Sequence, residues 1–197
     1  HTGIPHYFAT WKEFAAYCKV MYQCSDIRGT KDIHWDIRPR PKTGTIEFRV
    51  CDMPATLDQV LALTTLMRCL TILVQRLLEE RPRQRRGDRR RFWVAVENKW
   101  LAARYGLKAQ CLRTPGSKRQ TLAEDLAQLL DRLAEVADET GDAVFLDSLR
   151  LVDRLETGAE RQRRIYREDG AWGPVIQDMK ARWSESIHGE RTSECVS

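Results

Sequence analysis

Apolar and polar positions alternate one by one in two short stretches of this chain and recur every three to four residues almost everywhere else. In the first stretch Ile33, Trp35 and Ile37 oppose His34, Asp36 and Arg38, and in the second Ile46, Phe48 and Val50 oppose Thr45, Glu47, Arg49 and Cys51. A period of two belongs to a strand with one face on a core and the other turned away from it. The connection at 39–44, with its prolines and Gly44, predicts that the two strands pair as a hairpin. Two strands alone are marginal, so the apolar face of this pair predicts more sheet beside it, contributed from outside this chain.

The rest of the pattern is helical. Thr10 with Glu13 reads as a capping box opening a helix to about Gln23, with Trp11, Phe14, Ala15, Cys18 and Tyr22 as its stripe. Thr56 with Gln59 opens the longest element, expected over 57–80. Its leucines, valines and isoleucines cover most of the circumference, which predicts a helix buried within a domain, beneath the sheet. Pro82 ends it, and a third helix is expected from about Arg90 to Tyr105, stopped by Gly106. Residues 107–112 and 119–121 bracket a Pro115-Gly116 turn and predict a small hairpin. Beyond Thr121 the spacing predicts a helix carrying Leu122, Leu126, Leu129, Leu130, Leu133 and Val136, then one carrying Phe145, Leu149, Val152 and Leu155 and closed by Gly158. A short basic helix before Gly170 and a last one from Trp172 to about Ile187 complete the order. The fold class is therefore α+β: a strand hairpin packed on helices over 1–120, then a helical bundle over 121–190.

Composition narrows the classes. Of 197 residues, 42% are hydrophobic and 31% charged, the balance of a soluble globular protein, and no uninterrupted apolar stretch of membrane-spanning length is read from the sequence. The chain starts at His1 without a signal-peptide pattern or an initiator Met, which predicts a piece or a processed product of something longer. Six scattered cysteines without C-x-x-C spacing point to ordinary thiols in a reducing cytoplasm rather than a disulfide frame or a zinc site. Net charge is +5, yet residues 81–91 alone hold seven arginines against one aspartate, so the remainder is near neutral. Such a cluster suits anionic partners, but it has no interleaved aromatics for base stacking, and a solvated loop is expected in place of a nucleic-acid site.

The polar face of the hairpin is the candidate chemistry. If the strands pair, His34, Asp36, Arg38, Glu47 and Arg49 share one surface. That surface reads either as a solvated sheet face laced with cross-strand ion pairs or as a site. Arginine with single acids set between suits phosphate, carboxylate and a metal together.

The motifs H-W-D-I-R-P at 34–39, T-I-E-F-R-V-C-D at 45–52 and N-K-W-L-A-A-R-Y-G-L at 98–107, with the Leu-rich helix between, resemble the C-terminal half of the type 2 glutamate–cysteine ligases, the carboxylate–amine ligase family. The resemblance covers about residues 3–183. It implies a glutamine synthetase-like antiparallel sheet forming a funnel, and ATP- and Mg²⁺-dependent joining of the glutamate γ-carboxylate to the amine of cysteine through an acyl phosphate. It further implies Glu47 as a metal ligand, Arg49 and Arg38 as catalytic phosphate and carboxylate clamps, and His34, Asp36, Asn98 and Arg104 as substrate or ATP contacts. His34 alternatively packs edge-on, Asp36 alternatively orients Arg38, and Asn98 and Arg104 alternatively form a helix-cap network or a surface pair. The family's other acidic strand motif has no counterpart here, so half a site and weak or absent activity are expected of this chain. A non-catalytic scaffold or regulatory relative is the competing reading. The expected partners are small-molecule substrates and a second copy in a homodimer, with no membrane.

Overall fold

The computed structural model describes residues 2–24, 26–80, 89–112, 119–154 and 156–188. The chain divides into two compact units, one gathering His1–Asp52 with Leu78–Leu122 and the other Met53–Leu77 with Ala123–Ser197. Helices dominate and the sheets are small, an α+β composition.

The first unit starts with β1 (Thr2–Gly3) and α1 (Trp11–Cys24). Thr10 Oγ1 accepts from the Glu13 N–H at 3.2 Å, while the Glu13 carboxylate reaches past the cap to the N–H of Ala9 at 2.9 Å. One open N–H of the first helical turn, and the N–H of Ala9 just before the cap, are thereby satisfied. The buried stripe is Phe14 and Cys18, with Tyr17 and Met21 packed alongside, whereas Trp11 and Tyr22 are exposed. A 3₁₀ turn, Thr30–Asp32, leads into β2 (His34–Trp35), which pairs in parallel with β1. Trp35 is the hub of an aromatic cluster, with ring centroids 5.4 Å from Tyr17, 5.9 Å from Phe8 and 6.2 Å from Phe14.

The expected hairpin forms between β3 (Ile37–Arg40) and β4 (Thr45–Phe48), in the register Arg38 opposite Glu47 and Arg40 opposite Thr45. Its turn needs Gly44, whose φ of +64° is strained for any residue with a side chain. The alternation does not run through as the sequence suggests. Ile33 and Trp35 are buried, but Ile37 is exposed and Arg38 is buried. The phase shifts by one at Asp36, whose N–H donates to Gly3 O at 2.8 Å and whose carbonyl accepts from Arg49 N at 2.7 Å. These bonds make Asp36 the link between the two ladders and leave Ile37, Ile46 and Val50 exposed on the outer side. After α3 (Arg89–Tyr105), β5 (Gln110–Cys111) pairs with β6 (Gln120–Thr121) as the small hairpin expected there. Its turn and the Arg-rich residues 81–88 lie outside the described residues.

The second unit is built from most of α2 (Leu57–Glu80), α4 (Leu122–Thr140), the short α5 (Ala143–Asp147), α6 (Gly158–Asp169) and α7 (Trp172–His188). Cys69 of α2 joins Leu130, Leu133, Val136, Ala137 and Leu146 in its core. Two expectations for α2 are corrected. Only Ala62, Thr65 and Cys69 are buried, while Leu57, Val74, Leu77 and Leu78 are exposed, so the helix is not buried on most of its circumference, and its buried face packs in the helical unit. Its 24 residues are also long and apolar enough to cross a bilayer by length and composition, with mean hydropathy 1.6 over an 18-residue window. Ion pairs tie its arginines to the core helices: Arg68 meets Asp142 at 2.5 Å, and Arg76 meets Glu139. Gly158 opens α6 instead of closing the preceding helix, because Thr157 and Glu160 form a complete capping box there. Residues 148–154 wind as a 3₁₀ segment in place of the continuous helix expected around Phe145 and Leu149.

Candidate functional site

A guanidinium buried inside a small α+β unit demands partners, because an unpaired buried charge costs several kcal/mol. Arg38 is 3% exposed and satisfies that demand fully. Its Nη1 donates to the carbonyls of Thr30 (3.2 Å), Lys31 (2.6 Å) and Ile33 (3.2 Å). Its Nε and Nη2 both donate to Glu47 Oε2, at 3.1 and 2.5 Å. The register places Glu47 directly across the ladder from Arg38, so the pair follows from the hairpin itself.

Glu47 gathers two further arginines. Arg40 Nη1 lies 3.2 Å from Oε2, and Arg49 Nη1 lies 3.4 Å from Oε1. The Arg38 hydrogen bonds, reinforced by the charges of Arg38, Arg49 and Arg40, hold the Glu47 carboxyl below the usual carboxylate range. Arg49 Nη2 then reaches His34 Nδ1 at 3.2 Å. A guanidinium only donates, so Nδ1 accepts and the imidazole proton sits on Nε2. His34, Arg38, Glu47 and Arg49 therefore form one connected network, half open to solvent, with Arg49 and Glu47 each about one-third exposed.

The other candidate residues are placed elsewhere or differently. Asp36 does not orient Arg38; both its carboxylate oxygens accept from Lys99 Nζ of α3, at 2.6 and 2.7 Å. Asn98 spends its amide on Leu112: Oδ1 accepts from the backbone N–H at 2.9 Å, and Nδ2 donates to the carbonyl. This clamp ties α3 to the residue that follows β5. Arg104 is exposed in the last turn of α3, and no described contact links it to the Glu47 network. Sequence reasoning passed over Arg40 and Lys99. The third residue of R-P-R and the Lys of N-K-W were the available signals.

The donor set around Glu47 does not by itself suit a divalent cation. Hard cations collect several oxygen ligands, whereas here one carboxylate faces three guanidiniums. Among the described residues no group of three or more His, Cys, Asp or Glu side chains converges. Burial pushes the thiols of Cys18 and Cys69 up, the opposite of what activates a nucleophile.

The buried Arg38, the Glu47 carboxylate held by three guanidiniums and the motifs at 34–39, 45–52 and 98–107 all lie within the first unit. The family model "Glutamate-cysteine ligase family 2 (GCS2)" matches residues 1–188, and the chain belongs to that family. It is 34% identical over 173 residues to the Corynebacterium efficiens protein named "Putative glutamate--cysteine ligase 2-1", covering 86% of this chain and 44% of the relative. It is 36% identical over 168 residues to the protein of that name from an Arthrobacter species, covering 85% and 43%. With "Putative glutamate--cysteine ligase 2" of Gloeobacter violaceus it shares 32% identity over 182 residues, 91% of this chain and 47% of the relative. The chain thus spans about half the length of the curated relatives it matches.

Proposed function

We propose that this chain serves an ATP-dependent carboxylate–amine ligase joining the γ-carboxylate of glutamate to the amine of cysteine. The observation that carries the reading is the His34–Arg49–Glu47–Arg38 network, seated on the two motifs that bear the family resemblance. In the proposed reaction the terminal phosphoryl group of ATP passes to a carboxylate oxygen and ADP leaves. The amine nitrogen then attacks the acyl carbon, phosphate departs and the amine loses a proton. Such a sequence needs charge neutralised and groups held in line more than it needs covalent help. Arg49, partly exposed and fixed between Glu47 and His34, is the residue proposed to meet the transferred phosphoryl group. Arg38 is proposed as the positioning residue that holds Glu47, because its own donors are already spent on protein oxygens. Mg²⁺ belongs to the proposal as the nucleotide's counter-ion, without an assigned step, since Glu47 alone makes no cation site. The hairpin is proposed to be one part of a glutamine synthetase-like sheet, completed by strands outside this chain.

The test is a ligation assay with ATP, Mg²⁺, glutamate and cysteine, following ADP and dipeptide. Residues 1–197 alone are expected to give no turnover above background. A chimera joining the upstream half of the Corynebacterium efficiens relative to this chain is expected to restore it, and Arg49→Ala is expected to lower its kcat about 100-fold or more, as for loss of a donor to transition-state charge. Turnover by the chain alone would overturn the half-site reading, and a folded chimera with no glutamate- and cysteine-dependent ADP release would overturn the ligase reading.

A further inference from the structure

The Glu47 network shares Arg40 with a second basic feature, whose other cations the ligase reading does not use. An open cavity of about 280 Å³ is lined by Arg28, Thr30 and Lys31 on one side and Arg40, Pro41 and Lys42 on the other. Four of these side chains are cationic, and none is acidic or aromatic. The acids that touch Arg28 and Arg40 have partners of their own. Asp32 Oδ2 accepts from the Arg28 backbone N–H at 2.9 Å, and Glu47 holds Arg38, Arg40 and Arg49. No hydrogen bond or ion pair among the described residues engages the side chains of Arg28, Lys31 or Lys42. Like charges gathered around one hollow repel one another, and a bound polyanion would relieve that cost.

The two walls are held in place by the buried core of the unit. Arg38 binds the carbonyls of Thr30 and Lys31 from beneath, which sets the 3₁₀ turn against the hairpin. Arg40 is fixed by Glu47, and the hairpin turn is closed by Thr43, whose N–H and Oγ1 both donate to Arg40 O, at 3.1 and 3.2 Å. The positions that carry the cations are therefore set before any ligand arrives.

We propose that this cavity is a binding site for a short polyphosphate chain, with Arg28, Lys31, Arg40 and Lys42 as its donors. Its volume lies just under the range of about 300–1,000 Å³ that holds a whole drug-sized ligand, which suits two or three linked phosphates better than an entire nucleotide. The absence of an aromatic wall agrees, since a base would have nothing to stack on. The chain can come from inorganic tripolyphosphate or from the phosphate tail of a nucleotide. The site stands on its own geometry and does not require the ligation reaction.

Calorimetric titration of residues 1–197 with tripolyphosphate, and separately with ATP, tests it. Tripolyphosphate is expected to bind saturably, more weakly as salt is raised. The double variant Lys31→Gln/Lys42→Gln is expected to weaken binding at least about tenfold, the loss of one or two charge-assisted hydrogen bonds. A control removing equal charge from the exposed side of α1, Lys12→Gln/Lys19→Gln, is expected to stay within about twofold, as a local site requires. If ATP binding falls with the same double variant, the nucleotide tail is a source of the ligand; if only tripolyphosphate binding falls, the inorganic chain is. Either supports the site. Equal weakening by both double variants, no saturable tripolyphosphate binding, or insensitivity to Lys31→Gln/Lys42→Gln would overturn it. Because these experiments involve no turnover, an inactive chimera leaves the proposal standing, and a failed titration leaves the ligase reading standing.

Discussion

At the scale of single residues, Arg38 decides most about this protein. A side chain read from the sequence as one of five on an open polar face is the buried post of the first unit, spending its donors on three carbonyls and Glu47. Arg38→Ala would strip three carbonyls of their donor, and urea unfolding should show a loss of at least about 1–3 kcal/mol, the cost of leaving a buried acceptor unsatisfied. Arg40→Ala removes only an exposed partner of the same carboxylate, and should cost under about 1 kcal/mol. Comparable losses for the two variants would mean that Arg38 is not the post described. The cross-strand neighbours Arg38 and Glu47 were legible from the alternation and the hairpin connection. The pairing of Asp36 with Lys99 was not, because 63 residues separate them and nothing local links their positions.

Elements differ in how much of their energy is local. The start of α6 is specified by four consecutive residues: Thr157 accepts from the Glu160 N–H, and Glu160 accepts from the Thr157 N–H at 3.0 Å. Thr157→Ala is expected to cost about 1 kcal/mol, seen as a lower urea midpoint without a change of slope. The hub of the first unit is not local in this sense. Trp35 meets Phe8, Phe14 and Tyr17 from two other segments, and Trp35→Ala is expected to cost about 3–5 kcal/mol. A loss below about 1 kcal/mol would place the core of that unit elsewhere. The caps of α1 and α2 and the Leu stripes were readable for this reason, each being set within one or two turns, whereas the α6 box was passed over because Gly158 was read as the close of the preceding helix. The exposed sides of α2 were misread because periodicity reports which residues are apolar, not how many neighbours arrive to cover them.

For the molecule as a whole, arginine–carboxylate pairs recur in both units. Glu47, Glu139, Glu156 and Asp178 are all held below the usual carboxylate range, in each case first by a guanidinium hydrogen bond, from Arg38, Arg76, Arg164 and Arg161 respectively. A carboxylate with a depressed folded-state pKa stabilises the fold fully above its unfolded value, about 3.9 for Asp and 4.3 for Glu, and that contribution is lost as pH falls through the depressed value. The urea midpoint should therefore be flat from pH 7 to about 5 and fall steadily below about pH 4. Glu47→Gln should reduce the acid-dependent part of that fall, and a midpoint rising in acid would contradict the pairing.

By itself the sequence determined most of the helices, the caps of α1 and α2, the two strand stretches, the family motifs and the residue types of the candidate site. These depend on spacing and on hydrogen bonds made within a few residues. Only the tertiary structure decided which face of the hairpin is buried. The phase shift at Asp36 is set by a carbonyl of Gly3 and an N–H of Arg49, groups far apart in the chain. That shift turns Arg38 inward, makes Glu47 a guanidinium anchor, and sets Arg28 and Lys31 against Arg40 and Lys42 around one cavity. Local pattern cannot carry that information, because the energy that fixes it comes from burying and satisfying one charge across three separate segments.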